Sequence, residues 1–212
     1  GYRPVYVRQT KNELTGEHTS VLLCTVGGGA SAVAWLPQLV NDFRRRFCAL
    51  LANAFRGMGC GLALSILAPE MQAETRAPPA AELSELFTEY DFKRLASYAR
   101  SLSDHHFITD LVPLLARLRF SGKLVTPLSH VQAAALVGAG LQARSFDTLA
   151  ADLGLPLSQL LALFNKLIRK MVAALEAERE RDAEAGLPAQ TAAKDATAHM
   201  RPLGGSGAGA GA

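Results

Sequence analysis

A chain of 212 residues, 49% of them hydrophobic, is long enough to bury a full domain core, and 7% aromatics with abundant Ala and Leu favour helices over strands. No apolar run reaches membrane-spanning length and the first residues do not form a signal peptide, so the expectation is a soluble chain with no membrane partner. A net charge of +3 does not by itself announce a nucleic-acid binder, and three widely spaced cysteines, Cys24, Cys48 and Cys60, predict buried thiols in a reducing compartment instead of disulfides or a zinc site.

In chain order, "RPVYVRQ" (3–9) and "TSVLLCTV" (19–26) are rich in β-branched residues and predict two strands, with Gly16 available for the turn between them. Two strands do not make a stable sheet alone, so this hairpin is expected to complete a larger sheet. "GGGAS" (27–31) reads as a joint within a linker at 27–33. Over "WLPQLVNDFRRRFCALLANAF" an apolar stripe of Leu36, Val40, Phe43, Phe47, Leu50 and Phe55 predicts a helix, with Arg44 and Arg45 off the stripe. Pro79 offers a helix start. "EYDFKRLASYARSL" and "HHFITDLVPLLARLRF" predict two further helices, the second with a kink at Pro113.

Ser129 and Gln132 form a capping box that starts a helix near residue 130. Asp147 to Leu153 predicts a short helix stopped by Gly154. Ser158 then caps a long one whose apolar side is Leu160, Phe164, Leu167, Met171 and Leu175. Its charged extension runs to about 185, and the Gly/Ala-rich tail at 186–212 is expected to be disordered.

Residues 56–61 spell R-x-x-G-x-G, the pattern of an acetyl-CoA pyrophosphate loop. Such a loop needs a strand before it and a helix N-terminus after it. Here a helical pattern precedes it, so Gly57 or Gly59 is expected to stop a helix in the left-handed conformation. His105-His106, beside Asp104 and Asp110, offers no metal-ligand spacing, since adjacent helical side chains diverge by about 100°; a helix start capped by Asp104 is preferred. Glu17-His18 reads as a polar turn, and no nucleophile–base constellation stands out.

Charge is uneven along the chain. Residues 34–175 hold 15 Lys/Arg against 11 Asp/Glu, whereas residues from 176 onward hold four against six. The candidate phosphate-binding residues are Arg44, Arg45, Arg46, Lys93, Arg94, Lys166, Arg169 and Lys170. Residues 145–170 have the spacing of a helix-turn-helix whose second helix carries Asn165, Lys166, Arg169 and Lys170, although two bundled helices with a solvated basic face are the preferred reading.

"PVYVRQTKNELTGEHTSVLL" (4–23), "DFRRRF" (42–47), "LALSIL" (62–67), "YDFKRLASYAR" (90–100) and "LPLSQLLALFNKLIRKMV" (155–172) together resemble the C-terminal part of the eukaryotic RNA cytidine acetyltransferases. The resemblance implies a mainly α chain: a β-hairpin at 1–26 ending a GNAT α/β domain, then a helical domain at 34–185 proposed to bind tRNA. It implies N4-acetylcytidine formation in 18S-type small-subunit rRNA and in tRNA, in the nucleus and nucleolus. Acetyl-CoA and ATP would be used by upstream GNAT and helicase-like domains and not bound by this chain, which by itself would be non-catalytic. A THUMP-domain tRNA adaptor and a homodimer are further partners to consider. Many relatives carry a lysine-rich nucleolar tail, whereas this chain stops in Gly/Ala. The competing readings are a helical protein-interaction or dimerisation module and a helix-turn-helix nucleic-acid binder.

Overall fold

The computed structural model describes residues 1–26, 35–67, 83 and 85–185. The linker, the Pro79 helix start and the Gly/Ala-rich tail lie outside the described residues.

The fold is mainly α, preceded by one β-hairpin. Strands β1 (Arg3–Val7) and β2 (Ser20–Leu23) pair antiparallel, Val7 opposite Ser20 and Arg3 opposite Leu23. The register slips between Pro4 and Tyr6, as expected beside a residue that cannot donate to the ladder. Val7 buries its side chain in the main core, against the helix that follows.

Helix α1 (Trp35–Leu50) buries Leu36, Val40, Phe43, Phe47 and also Arg44 and Cys48. Leu51 and Phe55 extend the same apolar face through the turn at 51–57. Each such aliphatic or aromatic side chain contributes about 1.5–3 kcal/mol by leaving water. Helix α2 (Cys60–Leu67) follows at once. The glycine-rich stretch therefore joins helix to helix. Neither Gly57 nor Gly59 is left-handed, contrary to expectation; among the described residues the positive-φ glycines are Gly16, Gly122 and Gly154. The turn closes without them, through bonds such as Phe55 N–H to Leu50 O and Met58 N–H to Phe55 O.

Helix α3 (Glu89–Ala99) starts at a capping box in which Thr88 and Asp91 bond each other's backbone N–H. A 3-10 turn, His105–Ile108, precedes α4 (Val112–Phe120). Pro113 lies in the first turn of α4 and does not kink a longer helix, because its missing N–H has no partner to lose there. Helix α5 (His130–Leu136) begins at the Ser129–Gln132 capping box and runs directly into a π-helical turn, Val137–Leu141. Helix α6 (Phe146–Leu153) is capped by Ser145 and stopped by left-handed Gly154. Helix α7 (Leu157–Ala185) begins one residue before Ser158, with Leu160 N–H bonding Pro156 O; Ser158 thus lies inside the first turn. Leu160, Phe164, Leu167, Met171 and Leu175 are all buried, as the pattern predicts. No helix among the described residues is long and apolar enough to cross a membrane.

Candidate nucleic-acid interface

The eight basic residues singled out in the sequence divide into cations built into the fold and cations facing solvent. Arg44 is turned inward: it is 5% exposed, and its Nη2 donates to Phe120 O at 2.6 Å. Position 44 falls four residues from both Val40 and Cys48, inside a buried arc wider than a single stripe. Arg45 and Arg46 remain exposed and share Asp42, at 2.9 and 3.7 Å. The Arg45 hydrogen bond holds the Asp42 carboxyl below its ordinary value.

Lys93 stands over the exposed Tyr90 ring at 5.4 Å. Arg94 is chelated: it reaches Asp91 at 2.6 Å, both oxygens of Asp110 at 2.9 and 2.7 Å, and Phe107 O at 3.1 Å. Both carboxyls are held low by these bonds, and Arg94 fastens α3 to the 3-10 turn. Lys166 is exposed on α7. Arg169 donates to Ser101 Oγ at 2.8 Å, and Lys170 to Pro127 O at 2.7 Å and Gln132 Oε1 at 3.3 Å. Helices α6 and α7 do form a helix–turn–helix in outline, but the second helix is packed against α3 and α5. Its Arg169 and Lys170 brace neighbouring loops.

Three cations absent from that sequence-based set, Arg117, Arg119 and Lys123, complete a different picture. Arg45, Arg117 and Lys123 line one groove of about 440 Å³ between α1 and α4, over Cys48, Leu114 and Leu118. Arg119 is buried on the same helix, and burial together with nearby Arg44 depresses its pKa. Positive charge is therefore concentrated where α1 crosses the end of α4. Spread through "ARLRFSGK", these cations form no run and stand out only when α1 is seen to pack on α4. Burial pushes the Cys48 thiol up to about 11, and Leu114 and Leu118 beside it make the groove floor apolar.

The R-x-x-G-x-G stretch is held by a clamp from the far side of the π turn. Gln142 Nε2 donates to Phe55 O and Met58 O at 3.1 and 2.6 Å. Arg144 donates to Arg56 O and Met58 O and pairs with Asp152. Helix α1, and not the strand that the R-x-x-G-x-G pattern calls for, precedes this stretch.

Asp104 starts the 3-10 turn but makes no side-chain cap bond; its carboxylate lies 2.6 Å from His105 Nδ1. The two histidine rings do not diverge. Their centroids are 3.9 Å apart at a tilt of 39°. Contrary to the expectation of no ligand spacing, Asp104, His105 and His106 place three donor atoms within 4.8 Å of one another.

Among the described residues the fold is an α-helical bundle behind a β-hairpin, and it gathers arginine and lysine along one groove. The chain belongs to the family described as "Possible tRNA binding domain", whose model matches residues 35–204. Relatives are named RNA cytidine acetyltransferase: the mouse protein is 44% identical over 177 residues, covering 81% of this chain and 17% of the relative. The human protein is 40% identical over 200 residues (92% and 19%), and that of Saccharomyces cerevisiae 40% over 179 residues (79% and 17%). The chain thus spans about a fifth of the length of the curated relatives it matches.

Proposed function

We propose that this chain is the RNA-engaging helical part of an RNA cytidine acetyltransferase and that it holds tRNA, or structured small-subunit rRNA, through phosphates. On this reading acetyl-CoA and ATP are handled by the part of the relatives outside the matched stretch, and residues 1–26 complete the acetyltransferase sheet. The observation that carries the reading is the groove lined by Arg45, Arg117 and Lys123, backed by buried Arg44 and Arg119. Clustered guanidinium and ammonium groups over an apolar floor suit a phosphate backbone recognised by shape more than by sequence.

The test is tRNA affinity against salt for the parent chain and the double variant Arg45→Glu/Arg117→Glu. Binding by the variant is expected to weaken at least tenfold at low salt, and its log–log salt dependence to become shallower by about one unit per lost phosphate contact. Lys166→Glu, on α7, is expected to have a smaller effect. Undiminished affinity in the double variant would remove the groove from the account.

A second surface has other chemistry. Leu22 and Tyr2 of the hairpin face Met58 and Leu62 across a cavity of about 570 Å³. Leu22 and Leu62 are each about half exposed. This surface supports docking of the hairpin region against the acetyltransferase portion.

A further inference from the structure

A second cavity, of about 380 Å³, opens where the 3-10 turn, the π-helical turn and the start of α6 meet α7. That size is near the small end of ligand pockets, which run from about 300 to 1,000 Å³. Its walls hold a ladder of rings leading inward from the surface. His106 lies on His105 at 3.9 Å, His105 meets Phe146 edge-on at 5.1 Å, and Phe146 meets buried Phe164 edge-on at 4.9 Å. The rim carries Ser145 and the exposed carboxylate of Asp147.

This rim differs from the α1–α4 groove. Its one arginine, Arg144, is 12% exposed and already paired with Asp152, while Asp104 and Asp147 stand nearby. A phosphate finds no surplus cation there, but a neutral flat ring finds both a stacking face and a hydrogen-bond acceptor. We propose that this cavity receives a single unpaired nucleobase of the bound RNA, stacked on the His105–His106 rings and offering an exocyclic amino group to Asp147. Unpaired RNA bases are recognised by stacking on aromatic or histidine rings with hydrogen bonds to their edges. Adenine, cytosine and guanine carry such an amino group; uracil does not.

The inference rests on the RNA-binding reading and extends it. Helix α4 connects the two sites: Val112 at its start lines the cavity, and Arg117 and Leu118 near its end line the groove. Nine residues span about 13 Å, within reach of one RNA strand that lays phosphates in the groove and turns a base into the cavity.

The test uses the 212-residue chain with two RNA stem-loops, one fully paired in its stem and one with a single bulged 2-aminopurine, measured by affinity and by the fluorescence of that base. The bulged RNA is expected to bind about tenfold more tightly, with fluorescence quenched on stacking. His106→Ala and Asp147→Ala are expected to erase that advantage and leave affinity for the paired stem unchanged. His106→Phe, which keeps a ring, is expected to preserve it. A bulged uracil is expected to gain less than a bulged adenine. If paired and bulged RNAs bind equally, or if His106→Ala keeps the advantage and the quenching, the base pocket is overturned while RNA binding stands. If neither RNA binds at low salt, both readings fall together.

Discussion

Arg44, Arg45 and Arg46 are consecutive in sequence and differ in everything else. A charged donor bonded to a buried carbonyl is worth more than a neutral one, about 1.5–3 kcal/mol, because its loss strands the acceptor out of water. Arg44→Ala removes such a bond to Phe120 O and opens space beside Cys48; chemical denaturation is expected to show a loss of about 2–3 kcal/mol. Arg45→Ala and Arg46→Ala break only solvent-exposed pairs with Asp42 and are expected to stay within about 0.5 kcal/mol of the parent. Equal losses for all three would mean that Arg44 does not anchor α1 to α4. An arginine run in a sequence states the charge but not its direction. Here the direction depended on the i, i+4 series Val40, Arg44, Cys48, which a narrow stripe through Phe43 and Phe47 passes over.

At the scale of elements, part of the local chemistry was legible, whereas the Gly57 or Gly59 stop and the Asp104 and Ser158 caps did not form, and chemistry that needs a partner helix was not legible. The Ser129–Gln132 box and the Gly154 stop lie where their residues predict. The π turn at Val137–Leu141 carries no comparable mark, because its glycines are explained by what packs against them. A Cβ on Gly140 would sit 2.5 Å from Ala116 Cβ and 3.0 Å from the Val112 carbonyl oxygen, both fixed to the α4 backbone. A Cβ on Gly138 would meet the side-chain end of Leu149, at 2.1 Å from its Cδ2, and a leucine can change rotamer. Gly140→Ala is therefore expected to destabilise by about 1–3 kcal/mol, and Gly138→Ala by less, measured as thermal melting of the two variants side by side. The reverse order would show that α4 yields more readily than Leu149.

For the whole molecule, the alternation of a β-branched start with 3.6-residue periodicity was enough to predict helices behind a hairpin. The co-location of Arg45 with Arg117 and Lys123, which brings together residues more than seventy apart, was not. The hairpin remains the part with the least support. It sends Val7 into the core and touches Phe55 through His18 at 5.2 Å, but Tyr6, Val21 and Leu22 stay about half exposed. A two-stranded ribbon is marginal in water, and both outer edges lack a neighbouring strand among the described residues. Amide hydrogens of β1 and β2 are therefore expected to exchange well before those of α7, whose buried face runs from Leu160 to Leu175. If residues 1–26 complete the sheet of an acetyltransferase domain, linking that domain in front of Gly1 supplies the missing strand, and exchange at Val5, Tyr6 and Val21 is expected to slow while α7 is unchanged. Protection already equal to that of α7 in the 212-residue chain would show that α1 alone stabilises the hairpin. Unchanged exchange after linkage would mean that the free edges serve some purpose other than joining that sheet.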